Sequence, residues 1–277
     1  MNVEPKPRRP WVAALLTLPL LGLGQLYAGE PRRALAVYLG FVGLMIALFW
    51  GRIPATFVGL IASLLALLLY VAWVIWDAAR IARLKRDYVL KAYNRWYLYI
   101  AVILIVGSVP WSPVLARAPI KSFEIPSGSM KPSLLVGDYL YADMTYYRSA
   151  KPERGDLIVY SSPEHPKIKK VGRAIGLEGE RIEIRDKAVY IDGKRLEDPW
   201  ARHLDSQTIA SSPSREARRD QLGPEKIPAG TFFVLGDNRD NSYDSRFFGP
   251  VPLSLIWGHP LYVYWSPDRS RIGARLK

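Results

Sequence analysis

Two polar loops in this sequence carry residue types able to do hydrolytic chemistry. The first is PSGSMKPSL at 126–134, where Pro126, Gly128 and Pro132 bracket Ser127 and Ser129 in a turn. A hydroxyl on a rigid turn is both accessible and fixed in direction, as a nucleophile requires; the same composition also suits an ordinary Ser/Gly turn. The second is GDNRDNSYDSRFFGPV at 236–251, with Asp237, Asn238, Arg239, Asp240, Asn241, Ser242, Asp244 and Arg246 between apolar strands. So many short polar side chains in one loop predict a hydrogen-bond network. Its acidic spacing does not fit an EF-hand calcium loop. The three histidines, His165, His203 and His259, lack the helical spacing of a zinc protease. No Gly-x-Ser-x-Gly elbow is present. Cysteine is absent, which removes disulfides, thiolate chemistry and Cys-based zinc sites. No metal or nucleotide cofactor is called for.

The elements that position these loops fall into two halves. The chain has 277 residues, 49% of them hydrophobic, and a net charge of +13. Its apolar residues crowd into residues 1–117, which read as a membrane module. Ala34–Trp50, Ala55–Trp76 and Tyr97–Leu115 each approach the ~20 apolar residues that cross a bilayer. Trp50, Trp73, Trp76, Trp96 and Trp111 sit near their ends, as interfacial anchors do. The linker between the second and third spans carries Arg80, Arg83, Lys85, Arg86, Lys91 and Arg95, so it is expected in the cytoplasm. Arg32 and Arg33 before the first span agree, and Gly51–Pro54 makes a tight outer hairpin. The third span then delivers residues 118–277 to the far side. Trp11–Tyr27 is apolar but broken by Pro19, Gly22 and Gly24 and flanked by basic residues. That pattern favours a re-entrant or interfacial segment over a fourth span, and more spans follow it, unlike a cleavable signal. The basic excess belongs to these membrane flanks; no nucleic-acid recognition motif is visible.

Beyond residue 118 the apolar period changes to two. Leu157–Tyr160, Lys167–Ile175, Arg181–Ile184, Ala188–Ile191, Thr231–Leu235 and Ile256–Trp265 read as strands. Asp192-Gly193 signals a hairpin turn. The predicted fold class is therefore an N-terminal α-helical membrane module followed by an all-β domain. Ala201–Pro228 lacks clean periodicity and reads as a surface excursion.

With the turn Arg154-Gly155-Asp156 and RAIGLEGE at 173–180, the two polar loops resemble the successive motifs of bacterial type I signal peptidases, in the same order, over about Ile120 to Ser266. The resemblance implies a β-rich domain with a serine–lysine dyad. It implies that Ser129 is the nucleophile and that Ser127 shares the oxyanion hole with the Ser129 backbone N–H. It implies that Ser242 orients the lysine and that Asp244 and Arg246 form a structural ion pair nearby, with Arg173 also structural. Arg239 and Asp240 shape the loop.

One position departs from the family. Its lysine directly precedes the arginine matching Arg173, and here that position is Gly172; the family's proline is Glu178. Either the base has moved or the chain is a weak or inactive relative. Residues two apart on a strand share a face, so Lys170 points as position 172 does, and two residues displace it by about 6–7 Å. That is comparable to a lysine side chain, and Gly172 would leave room for the stem. Lys169 points the other way, and both lysines together also read as a solvated basic run.

The function expected is endoproteolysis at the outer face of a cytoplasmic membrane. Substrates are signal-peptide-bearing preproteins cut after small residues, and the lipid bilayer is the other partner. Met130, Leu134 and Leu135 are expected to form an apolar surface that meets the membrane. An inactive membrane scaffold and a maturation protease dedicated to one secretion system are the alternatives.

Overall fold

The computed structural model describes residues 7–85, 87–108, 117–212 and 214–276, in two compact units. Arg86, Trp111 and the end of the third expected span lie outside the described residues.

The first unit is helical. Pro10–Leu16 (α1) and Leu23–Tyr27 (α2) are short and joined through a turn. Pro31–Trp50 (α3) and Phe57–Leu84 (α4) are long and apolar enough to cross a membrane, and Trp96–Ser108 (α5) is a shorter apolar helix. α4 runs eight residues past Trp76, so Arg80 and Arg83 belong to the helix and not to the linker expected from sequence. Basic residues at a helix C-terminus favour its dipole, which carries the helix beyond its apolar stretch. Val58, Leu68 and Leu69 of α4 are exposed, a face that calls for an apolar surrounding. The α1–α2 segment packs tightly: a Cβ on Gly24 would lie 2.3 Å from both the Ala13 carbonyl oxygen and Thr17 Oγ1. Gln25 Nε2 donates to Asp77 Oδ2 (3.2 Å) and the Val74 carbonyl (3.0 Å), and Arg33 Nε donates to Asp77 (3.0 Å). The buried Asp77 carboxylate is thus paired, as a charge out of water must be.

The second unit is built on antiparallel strands, β1 Ile120–Glu124, β2 Tyr139–Asp143, β3 Leu157–Ser161, β4 Lys169–Gly176, β5 Arg181–Arg185, β6 Ala188–Ile191, β7 Lys194–Arg195, β8 Leu222–Lys226, β9 Thr231–Leu235, β10 Val251–Pro252 and β11 Ile256–Trp265. They form a seven-stranded sheet, β1-β2-β11-β3-β4-β9-β10, and a four-stranded sheet, β7-β6-β5-β8. Asp192 and Gly193 both take positive φ (49° and 78°), matching the twist of the β6–β7 hairpin. The 201–228 excursion is not purely surface: its end is β8, paired with β5 through Ile182↔Glu225 and Ile184↔Leu222, with Leu222 in the core. One buried apolar side chain in LGPEK is too little for a period to show.

Met130 and Leu134 correct a second expectation. They are 1% and 0% exposed and pack with Ile125, Leu140 and Val263, so they anchor the Ser129 loop to the core rather than facing a membrane.

Candidate active site

The loop joining β1 to β2 holds Ser127 and Ser129. Its apolar ends, Ile125 and Leu134, are buried, so the polar middle is forced outward as a rigid turn. The Lys131 and Leu134 N–H groups donate to the Gly128 and Met130 carbonyls. The two hydroxyls are 3.1 Å apart, a hydrogen bond in which either oxygen can donate. Ser127 is exposed and Ser129 half-buried. Both line a groove of about 610 Å³ with Lys170, Ser242 and Tyr243.

The 236–251 loop closes against the serine turn through Asn238. The Asn238 N–H donates to the Ser129 carbonyl (3.0 Å), and its side-chain Nδ2 donates to the Gly128 carbonyl (3.0 Å). Gly236 permits the approach: a Cβ there would sit 2.2 Å from Ser242 Oγ and 2.6 Å from the Ser129 carbonyl oxygen. Sequence reasoning placed Asn238 in the polar loop without a role. Its only signal was an amide, able to donate, next to an acidic residue.

Three buried ion pairs keep this loop in shape. Arg173 Nε and Nη2 each donate to Asp237 at 2.8 Å, Nη1 donates to the Gly155 carbonyl at 2.6 Å, and Trp200 stacks over the guanidinium at 4.7 Å. Arg246 Nε and Nη2 grip Asp244 at 2.9 and 2.8 Å, and the Gly236 N–H donates to the same carboxylate at 3.0 Å. Arg239 pairs with Asp198 and donates to the Gly236 carbonyl. Burial alone would push the Asp244 carboxyl up. Arg246, the Gly236 N–H and the Ser242 hydroxyl outweigh it and hold that carboxyl below the usual carboxylate range. Ser242 lies beside this carboxylate and lines the groove. Asp240 accepts from Lys187 (3.0 Å) and from the Asp205 N–H (2.8 Å), tying the excursion to the loop.

β4 carries the lysines. Lys170 pairs with Tyr160 and Gly172 with Ile158 across β3, so Lys170 and Gly172 share a face. Lys169 lies on the other, over Trp257 at 4.7 Å and Phe123 at 5.6 Å. The Lys170 Nζ donates to the Tyr243 carbonyl at 3.1 Å and rests over the rings of Tyr243 (5.1 Å) and Phe248 (5.3 Å). Desolvation pushes its pKa down, opposed by the charges of Asp244 and Glu164. The space above Gly172 is not vacant as expected: a Cβ there would lie 2.5 Å from Val234 Cγ1 and 3.1 Å from Tyr160 Cε1. Core side chains fill the path that a lysine at 172 would take.

No histidine lines the groove. His259 is in β11 beside Tyr147 (3.2 Å), His203 is near Asp240 (3.4 Å), and His165 is exposed on the β3–β4 hairpin. No cluster of three or more potential metal ligands occurs among the described residues. What the groove offers is a hydroxyl pair, a neighbouring backbone N–H and a lysine whose pKa burial pushes down.

The family described as signal peptidase, peptidase S26, matches residues 93–265, which contain every residue of the groove. A signal peptidase I of Leptolyngbya laminosa is 40% identical over 152 residues, covering 52% of this chain and 68% of that protein. Signal peptidase I V of Bacillus subtilis is 31% identical over 166 residues, covering 60% of this chain and 95% of its own. A crystal structure of a signal peptidase I from Enterococcus faecalis is 33% identical, covers 40% of this chain and 97% of that one, and has a TM-score of 0.30. Since the family match runs over well more than half of the sequence and over both polar loops, the chain belongs to the signal peptidase family, peptidase S26.

Proposed function

We propose that this chain is a membrane-bound serine endopeptidase that removes signal peptides from exported preproteins at the outer face of the cytoplasmic membrane. The observation that carries the reading is the Ser127–Ser129 hydroxyl pair in a groove of about 610 Å³, on a turn whose backbone carbonyls Asn238 holds. The membrane placement is supported by the two long apolar helices and by basic residues that mark the segment after α4 as cytoplasmic.

In the proposed reaction Ser129 Oγ attacks the scissile carbonyl while its proton passes to a neutral Lys170 amine. The Ser127 hydroxyl and Ser129 N–H stabilise the oxyanion. Collapse breaks the C–N bond, and the Lys170 ammonium returns the proton to the leaving amine. Water, activated by the same amine, then hydrolyses the acyl ester. For this transfer the Lys170 amine leaves the Tyr243 carbonyl for Ser129, which lines the same groove, as does Ser242. Desolvation makes the neutral amine accessible at lower pH than for a free lysine.

A second reading, a catalytically silent relative that binds signal peptides, is favoured by one observation: Val234 and Tyr160 occupy the position 172 path. Cleavage of a preprotein by the reconstituted chain, by Lys170→Ala and by Gly172→Lys separates the two. Activity in the wild type that is lost in Lys170→Ala supports the displaced base. An inactive wild type supports the silent relative and overturns the proposal, whether or not Gly172→Lys, whose side chain must displace Val234 and Tyr160, gains activity.

A further inference from the structure

Tyr243 stands between the two residues that shape the lysine's surroundings, Ser242 and Asp244, and is the direct seat of Lys170. Its hydroxyl, at the far end of the ring, is held by groups from two other parts of the chain. Glu164, on the β3–β4 hairpin closed by the Ser162 N–H to Ile168 carbonyl bond (3.1 Å), accepts from the Tyr243 hydroxyl at 2.9 Å. Arg215, in the 3-10 turn Arg215–Arg219 of the excursion, reaches the same hydroxyl. It also pairs with Glu164 (3.2 Å), donates to the Phe247 carbonyl (3.3 Å) and lies over the Tyr243 ring at 5.3 Å. The ring itself stacks on Phe247, 5.3 Å between centroids and 11° from parallel. The turn that carries Arg215 is fastened in its own right: Ala217 is buried, Ser214 caps it, and Arg246 Nη1 donates to the Arg219 carbonyl at 2.9 Å.

We propose that Glu164 and Arg215 are positioning residues for Lys170, a clasp that fixes the Tyr243 ring against which the lysine rests. The clasp rests on the reading of Lys170 as base. Tyr243 is 43% exposed, and without Glu164 and Arg215 its ring, which lies beside the Lys170 amine, is held only by Phe247 and Phe248. Three separate segments converge on one exposed tyrosine, and the convergence gives the 201–228 excursion a task at the groove. The charged and titratable groups around Lys170 are Glu164 from the hairpin, Arg215 from the excursion, Asp244 and Tyr243 from the polar loop and Tyr160 from β3. Removing the Glu164 charge leaves the amine easier to deprotonate, because a nearby anion favours the ammonium.

The test uses the full chain in detergent, with two readouts. Acetic anhydride labelling of Lys170, followed by mass spectrometry across pH, reports the amine whether or not the chain cleaves; cleavage of a preprotein peptide gives kcat and KM. Glu164→Gln is expected to lower the Lys170 labelling midpoint by about 0.3–0.5 pH units and to move the acid limb of kcat by the same amount. Arg215→Ala is expected to lower kcat about 5- to 20-fold with KM within about twofold, and Arg215→Lys to recover most of it. An unmoved midpoint in Glu164→Gln together with unchanged kcat in Arg215→Ala overturns the clasp. Lys170→Ala separates the two levels: if it still cleaves, the base assignment falls and the clasp's catalytic meaning with it. If it is dead while Glu164→Gln and Arg215→Ala behave as wild type, the clasp alone is wrong.

Discussion

Asn238 donates from its side chain to the Gly128 carbonyl, and that carbonyl shares one planar peptide unit with the Ser129 N–H. Whatever fixes the carbonyl fixes the N–H at the other end of the plane, and that N–H is the backbone donor to the oxyanion in the proposed reaction. Asn238→Ala removes the side-chain bond and keeps the bond from the Asn238 backbone to the Ser129 carbonyl. The Gly128 carbonyl retains the longer bond from the Lys131 N–H (3.2 Å), so it is not orphaned. The stability cost is accordingly that of one ordinary hydrogen bond, about 0.5–1.5 kcal/mol. The catalytic cost is larger. Losing an oxyanion donor outright lowers kcat about 10²–10³-fold, and a plane held at one point instead of two should lose about 10- to 100-fold. Because the donor acts on charge that develops only in the transition state, KM should stay within about threefold. Asn238→Asp, whose carboxylate cannot donate and faces a carbonyl, should lose at least as much. Steady-state cleavage of a preprotein peptide in detergent, beside thermal unfolding of the same samples, measures both quantities. A kcat within about twofold of wild type in both variants, or a loss carried by KM, refutes the argument.

Asp237→Ala removes the counter-charge of a guanidinium that is 1% exposed and should destabilise the second unit by about 3–5 kcal/mol, read by thermal unfolding. Gly172→Lys should cost about 1–3 kcal/mol through overpacking against Val234, and Val234→Ala in the same chain should recover part of it. Asp240 has its carboxyl pulled down to about 2; burial raises it, and the Asp205 N–H, Lys187 and His203 more than compensate. The folded value lies below the unfolded 3.8, so this stability is present above pH 3.8 and lost as pH falls through about 2. The gap between wild type and Asp240→Asn should be about 2 kcal/mol at neutral pH and close below about pH 2, measured by unfolding across pH. If Lys170 is the base proposed above, the acid limb of kcat should lie below the ordinary lysine value, because desolvation lowers its pKa.

The β domain was legible where period and turn chemistry coincide, as at Ala188–Ile191 with Asp192-Gly193. It was illegible where a strand is defined by its neighbour. Within β8 only Leu222 is buried, and no single-chain pattern marks LGPEK as paired. Met130 and Leu134 looked like surface because the turn was read alone; the β1–β2 pairing over which they fold is long-range information. The α4 extension past Trp76 was hidden by its arginines, which read as linker until the helix is seen to continue beneath them. Ser127, Ser129 and Ser242 line one groove, while Asp244 and Arg246 form a buried ion pair; their motifs carry glycines and prolines that dictate the turns. Asn238 and Arg215 were not distinguishable among their polar neighbours, since their importance lies in which backbone approaches them. The filled volume at Gly172 is likewise a property of β3 and β9 and not of the glycine.

The central claim is that Ser129 is the nucleophile. The most direct measurement is cleavage of a full-length preprotein by the purified chain and by Ser129→Ala at matched folding, with the new N-terminus of the product sequenced. The account predicts a single cut after a small residue by the wild type and none by Ser129→Ala. Cleavage at the same bond by Ser129→Ala would contradict it.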